Sequence, residues 1–101
     1  MNLNSLPQFR DVVEEKHFTE PFIRLDDVLD KPMAILDYVD TVFTEKDGKR
    51  TQKVHILIEM DKRYVISTGS IVLAKQVKEA KSFPFAAKIV KVKSFYSFEN
   101  I

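Results

Sequence analysis

The alternation of Val54, Ile56, Ile58 and Met60 with His55, Leu57 and Glu59 constrains this chain more than any other stretch. A period of two sends successive side chains to opposite faces, so the segment reads as a half-buried β-strand. Such a strand needs partners to cover its apolar side, and the flanking sequence supplies them. Upstream, Met33 to about Phe43 reads as a long first strand, with Ile35, Val39 and Phe43 on one parity and Leu36 and Tyr38 on the other. Mixed parity suits a barrel strand that bends so that both faces find cover. Asp47-Gly48 is a strong turn signal inside the connecting loop from Thr44 to Thr51.

Downstream, Asp61-Lys62 turns the chain into a third strand, Arg63 to Thr68. Thr68-Gly69-Ser70 then breaks the extended run, and Ser70 or Thr68 can cap a helix with its hydroxyl. Leu73, Val77 and Ala80 fall at i, i+4 and i+7 and form the packed face, while Lys75, Lys78 and Lys81 point elsewhere. Pro84 ends the helical region. The fourth strand, Phe85 to Lys93, changes parity between Ile89 and Val90, which predicts a bulge or bend there. A short link near Ser94 leads to a last strand, Phe95 to Phe98. Three strands, a helix and two strands are the order of an all-β, five-stranded Greek-key barrel of the OB type, with the helix between strands three and four.

Residues 1–32 read as an N-terminal arm and 33–101 as the barrel. Within the arm, Gln8 to Lys16 predicts a short helix carrying Phe9, Val12 and Val13 on one stripe. Glu20 to Leu25 reads as extended, and Asp26 to Asp30 as a helical turn before Pro32. Three carboxylates in that turn do not make a cation loop, which needs more oxygen ligands and a glycine at the sharp bend.

A chain of 101 residues, 45% hydrophobic and 31% charged, is one soluble domain with a short appendage. Catalytic signatures are missing. With no cysteine, disulfides, thiolate chemistry and cysteine-held zinc are excluded. His17 and His55 stand in no metal-ligand spacing, and two glycines cannot form a dinucleotide fingerprint. Gly48-Lys49-Arg50 lacks the earlier glycine and the following hydroxyl of a phosphate-cradling loop. The expectation is therefore a non-enzyme without metal or cofactor. Neither a signal-like start nor an apolar run of membrane-spanning length is present, which predicts a cytoplasmic protein with no membrane partner.

Charge is unevenly spread. Up to Asp47 there are 11 acidic and 5 basic residues, and from Gly48 onward 4 acidic and 11 basic, so a net +1 hides halves of −6 and +7. Such asymmetry marks either a polyanion-binding face or two halves that neutralise each other once folded. Single-stranded nucleic acid needs cations for its phosphates and flat rings for its bases, each stack worth about 1–3 kcal/mol. Barrels of this type bind on the face of strands two and three, flanked by the loops joining strands one–two and four–five. That surface would receive Lys46, Lys49, Arg50, Lys53 and His55, then Arg63 and Tyr64, then Lys91, Lys93 and Phe95 or Tyr96. Tyr38 completes the candidate set as a further stacking ring, whereas Phe83, Phe85 and Phe98 read as core.

The run Thr68-Gly69-Ser70-Ile71-Val72-Leu73, then Gln76, then Pro84-Phe85 with Ala87 and Ile89, resembles small OB-fold proteins of phages and mobile elements of Gram-positive bacteria. Those are similar to single-stranded-DNA-binding proteins of replication or recombination, and the resemblance covers about Leu25 to Phe98. It implies a non-sequence-specific partner, single-stranded DNA, with RNA as the alternative that reads 2′-hydroxyls. It transfers no binding residue. An acidic arm lying over the groove would mean that deleting residues 1–24 tightens binding. The rival expectation is an assembly module without nucleic acid, which pairs with copies or partners through Phe9, Val12, Phe18 and Phe22 of the arm or through a strand edge.

Overall fold

β-Branched and aromatic residues dominate from Met33 onward and are laid down as five strands: β1 (Met33–Thr44), β2 (Arg50–Glu59), β3 (Arg63–Thr68), β4 (Phe85–Val92) and β5 (Phe95–Glu99). An α-helix, α1 (Ile71–Glu79), lies between β3 and β4. The computed structural model describes residues 17–101, except for the side chain of Phe43, and the helix expected over Gln8 to Lys16 lies outside them. The strands form one antiparallel sheet in the order β3-β2-β1-β4-β5. β1 is shared: its N-terminal end pairs with β4 and its full length with β2.

The mixed parity of β1 has a simple cause. The register slips between Ile35 and Asp37, so Ile35 faces Ile58 and Tyr38 faces Ile56 although their parities differ. Leu36 is the extra residue, so Ile35 and Tyr38 both turn inward. β4 differs from expectation, since its register with β5 runs unbroken from Lys88–Glu99 to Val92–Phe95. There is no bulge after Ile89. Val90 and Val92 instead keep to the side away from the core, and Val92 ends up exposed.

Val54, Ile56 and Ile58 of β2, Ile66 of β3 and Ile35 of β1 meet Leu73 and Val77 of α1 in the core, together with Met33, Ala87 and Ile89. Ser70 caps α1, its Oγ accepting from the Leu73 amide at 3.3 Å, and Thr68 Oγ1 accepts from the Ser70 amide at 3.1 Å. The helix stops at Glu79, before Pro84, where the Ala80 amide donates to the Val77 carbonyl. Phe83, Phe85 and Phe98 pack against the core as expected.

Residues 21–30 belong to this body. The Ile23 amide donates to the Val65 carbonyl at 3.0 Å and the Val65 amide to the Pro21 carbonyl at 2.9 Å, so Phe22 adds a parallel bridge to the outer edge of β3. A 3₁₀ turn (Leu25–Val28) follows and buries Val28 completely. The Asp30 amide then donates to the Ile89 carbonyl at 2.8 Å. The segment therefore runs as a strap from the β3 edge to β4.

The other edge is blunted by a side chain. Gln76 of α1 accepts from the Phe98 amide at 2.8 Å and donates to Ser97 Oγ at 3.0 Å, as a neighbouring peptide group would. Gln76→Ala removes both bonds and leaves a half-buried amide to find water. We expect a cost of about 1–2 kcal/mol, read as a melting temperature lowered by about 5–10 °C. An unchanged melting temperature would show that the β5 edge does not need this plug.

Candidate nucleic-acid interface

Side chains on β2 alternate, so Lys53, His55, Leu57 and Glu59 share the face turned away from the core. Register places Ser67 opposite His55, Val65 opposite Leu57 and Arg63 opposite Glu59 on β3. Phe22 bridges to Val65 and so extends the same row beyond the sheet edge. Its ring is 64% exposed and meets His55 edge-on, with centroids 5.3 Å apart. Leu57 and Val65 are buried in the middle of this outer face, next to the strap.

Charge runs along the face. At the far end Arg63 Nε is paired with Glu59 Oε1 at 3.1 Å and contributes no net charge there. At the near end Lys53 and His55 continue into the β1–β2 turn, which carries Lys46, Lys49 and Arg50, all exposed. That turn is built tightly: the Glu45 amide donates to the Lys49 carbonyl at 2.8 Å and the Gly48 amide to the Glu45 carbonyl at 2.9 Å. Gly48 sits at φ +85°, a conformation that a side chain would strain. The two acidic groups of the turn are engaged locally. Asp47 Oδ1 accepts from the Lys49 amide at 2.9 Å, and Glu45 Oε1 from Thr51 Oγ1 at 2.9 Å.

His55 is pushed below its ordinary value of 6.5, first by partial burial and then by the charges of Lys53 and His17. It is therefore a neutral ring at neutral pH, able to stack or to accept a hydrogen bond. Protonation favours the unfolded chain, so stability is unaffected above 6.5 and falls as pH drops from there through the lowered folded-state value.

The remaining candidates separate from this group. Tyr38 and Tyr64 lie opposite Ile56 and Ile58, on the inner face, where both pack against the core. Tyr96 also packs inward, and its hydroxyl donates to Asp26 Oδ1 at 2.8 Å; that bond, followed by burial and the carboxylate charge, raises the phenol above its ordinary value. All three tyrosines are half-buried and pack against the edge of the core, which covers part of each ring that the sequence offered for stacking. A phenol at a core edge satisfies its oxygen at the rim while burying its ring, and alternation fixes which way it points. Lys91 and Lys93 lie on and beside the β4–β5 turn, across the Thr68–Ile71 link from Lys53, with the Lys91 ammonium 5.5 Å from the Tyr96 ring centre. Among the described phenylalanines and tyrosines, Phe22 and Phe95 are the exposed ones. Phe22 had a sequence signal only as an apolar residue in an extended arm, and nothing in its spacing shows that it lands beside His55.

No three His, Asp or Glu side chains stand together as a metal group among the described residues, and no helix among them is long and apolar enough to cross a membrane. No curated protein and no solved structure matches the chain. Residues 19–99, from the start of the strap to the end of β5, match one family throughout, and the chain belongs to it: Domain of unknown function (DUF8468).

Proposed function

We propose that this chain is a barrel of the OB type that binds single-stranded DNA without strong sequence preference, along the β1–β2 turn and the outer face of β2 and β3. The strand order supports the barrel reading: β1 pairs with both β2 and β4, the helix falls between β3 and β4, and the strap spans from the β3 edge to β4. One observation carries the binding site. An exposed phenylalanine is held edge-on to a neutral histidine, on the same face as Lys53 and in line with a turn bearing three further cations. Phosphates would follow the cations while a base stacks on Phe22. The resemblance read from the sequence adds the setting, a cytoplasmic role in phage or mobile-element replication or recombination. Assembly through strand edges is less well supported, because the strap and Gln76 occupy the two edges.

Fluorescence anisotropy with labelled oligo-dT tests the reading. Three phosphate contacts from the turn predict roughly 20-fold weaker binding between ~50 and ~200 mM salt, from a slope of about −0.7 per contact for single strands. Absence of binding at low salt would remove the proposal, and tighter binding of oligo-U would redirect it to RNA.

A further inference from the structure

The β4–β5 hairpin and the start of α1 present a second surface of different chemistry. Ile71, the first helical residue, is 83% exposed, and Phe95 is 44% exposed. Together with Thr68–Val72 and Ser94–Tyr96 they line a shallow cleft of about 520 Å³. Val92 is exposed directly opposite Phe95 across the hairpin and widens the apolar area. A soluble protein gains nothing by exposing three large apolar side chains side by side unless they meet something.

Cations surround them. Lys75 is four residues beyond Ile71, hence on the same side of the helix, and lines the adjoining cleft with it. Lys91 and Lys93 flank the hairpin turn, both exposed. Lys93 adopts φ +56°, a left-handed conformation in which glycine or asparagine would sit with less strain, yet a lysine occupies it. Asp26, whose carboxylate accepts from the Tyr96 hydroxyl, is the acidic group beside them, against three lysines.

We propose that this surface docks an acidic, extended segment of another protein, anchored by an apolar side chain seated between Ile71 and Phe95. Carboxylates meet the three lysines, and the anchor covers the exposed apolar carbon. Two of the three exposed side chains favour a peptide over a polynucleotide: Ile71 and Val92 offer no π face for a base, whereas a leucine or phenylalanine buries well against them. The surface adjoins the DNA-binding face, since Lys53 lines the neighbouring cleft together with Ile71 and Lys75, and the two readings differ in using the β4–β5 hairpin or the β1–β2 turn.

The probe is a fluorescein-labelled peptide, Asp-Glu-Leu-Asp-Phe-Glu, titrated by anisotropy at ~50 mM salt, a concentration at which screening is weak. Ile71→Glu adds a negative charge at a solvent-facing position, so its melting temperature should match that of the unaltered protein. We expect this variant to bind the peptide about tenfold more weakly while its oligo-dT affinity stays unchanged. A second peptide with serine replacing leucine and phenylalanine should lose affinity on the unaltered protein. The proposal is overturned if the first peptide fails to bind or binds Ile71→Glu equally well. It is also overturned if Ile71→Glu loses oligo-dT affinity in parallel, which would give the surface to the polynucleotide.

Discussion

Replacing Lys46, Lys49 and Arg50 together by alanine should weaken oligo-dT binding about 100-fold at ~0.1 M salt, since each lost phosphate contact on a single strand removes about 0.7 of a decade there. The same substitutions should flatten the slope of log affinity against log salt by about 2. All three side chains are exposed, and the turn is held by backbone bonds, Gly48 and the Asp47 carboxylate, so folding should be untouched. Lys46, Lys49 and Arg50 outnumber the Glu45 and Asp47 carboxylates, so the turn keeps a net positive charge, and the acids are held by local hydrogen bonds to the Thr51 hydroxyl and the Lys49 amide. Matched anisotropy titrations with thermal melts make the measurement. Unaltered affinity in a protein that melts normally would show that phosphates, if bound, lie elsewhere, and the turn would lose its place in the site.

Much of the fold was legible because each signal was local. The period-two pattern of β2, the Asp47-Gly48 turn and the Ser70 cap are properties of a few adjacent residues, and each lies where its chemistry required. Errors arose where one residue decides a long stretch. A single extra residue at Leu36 flips the parity of β1, whereas β4, whose apolar pattern looked equally broken, keeps its register and leaves Val92 exposed. Hydropathy reports how apolar a position is, not which side of the sheet it occupies.

The site was legible as a list of cations but not as a geometry. Lys49, Arg50, Lys53 and His55 could be placed because loop and strand positions follow from alternation. Arg63 could not, because its pairing with Glu59 depends on the β2–β3 register. The rings were the least legible of these groups. Tyrosines suit a stacking role by chemistry, yet all three are half-buried against the core, and the exposed phenylalanines among the described residues come from a strap and a hairpin end. Phe22 reaches His55 only because Pro21 and Ile23 bond to Val65, a contact between segments more than forty residues apart.

That contact also bears on deletion of the N-terminal segment. Deleting residues 1–24 would not uncover a groove without consequence, since it would remove the strand-like pairing at the β3 edge and Ile23, which packs against the core. Ile23→Pro isolates the effect in the full chain: proline has no amide hydrogen for the Val65 carbonyl and replaces a packed aliphatic side chain. The lost hydrogen bond is worth about 1 kcal/mol, and the half-buried side chain adds about 1–2 kcal/mol. Together they should lower the melting temperature by about 10–20 °C. Phe22→Ala should instead leave melting nearly unchanged, because its ring is mostly in solvent, while weakening oligo-dT binding by about 1–3 kcal/mol. Neighbouring residues of one strap would thus separate, one acting on stability and the other on binding. If Ile23→Pro melts like the unaltered chain, the pairing at the β3 edge is not part of the folded body, and Phe22 would have no fixed place from which to stack.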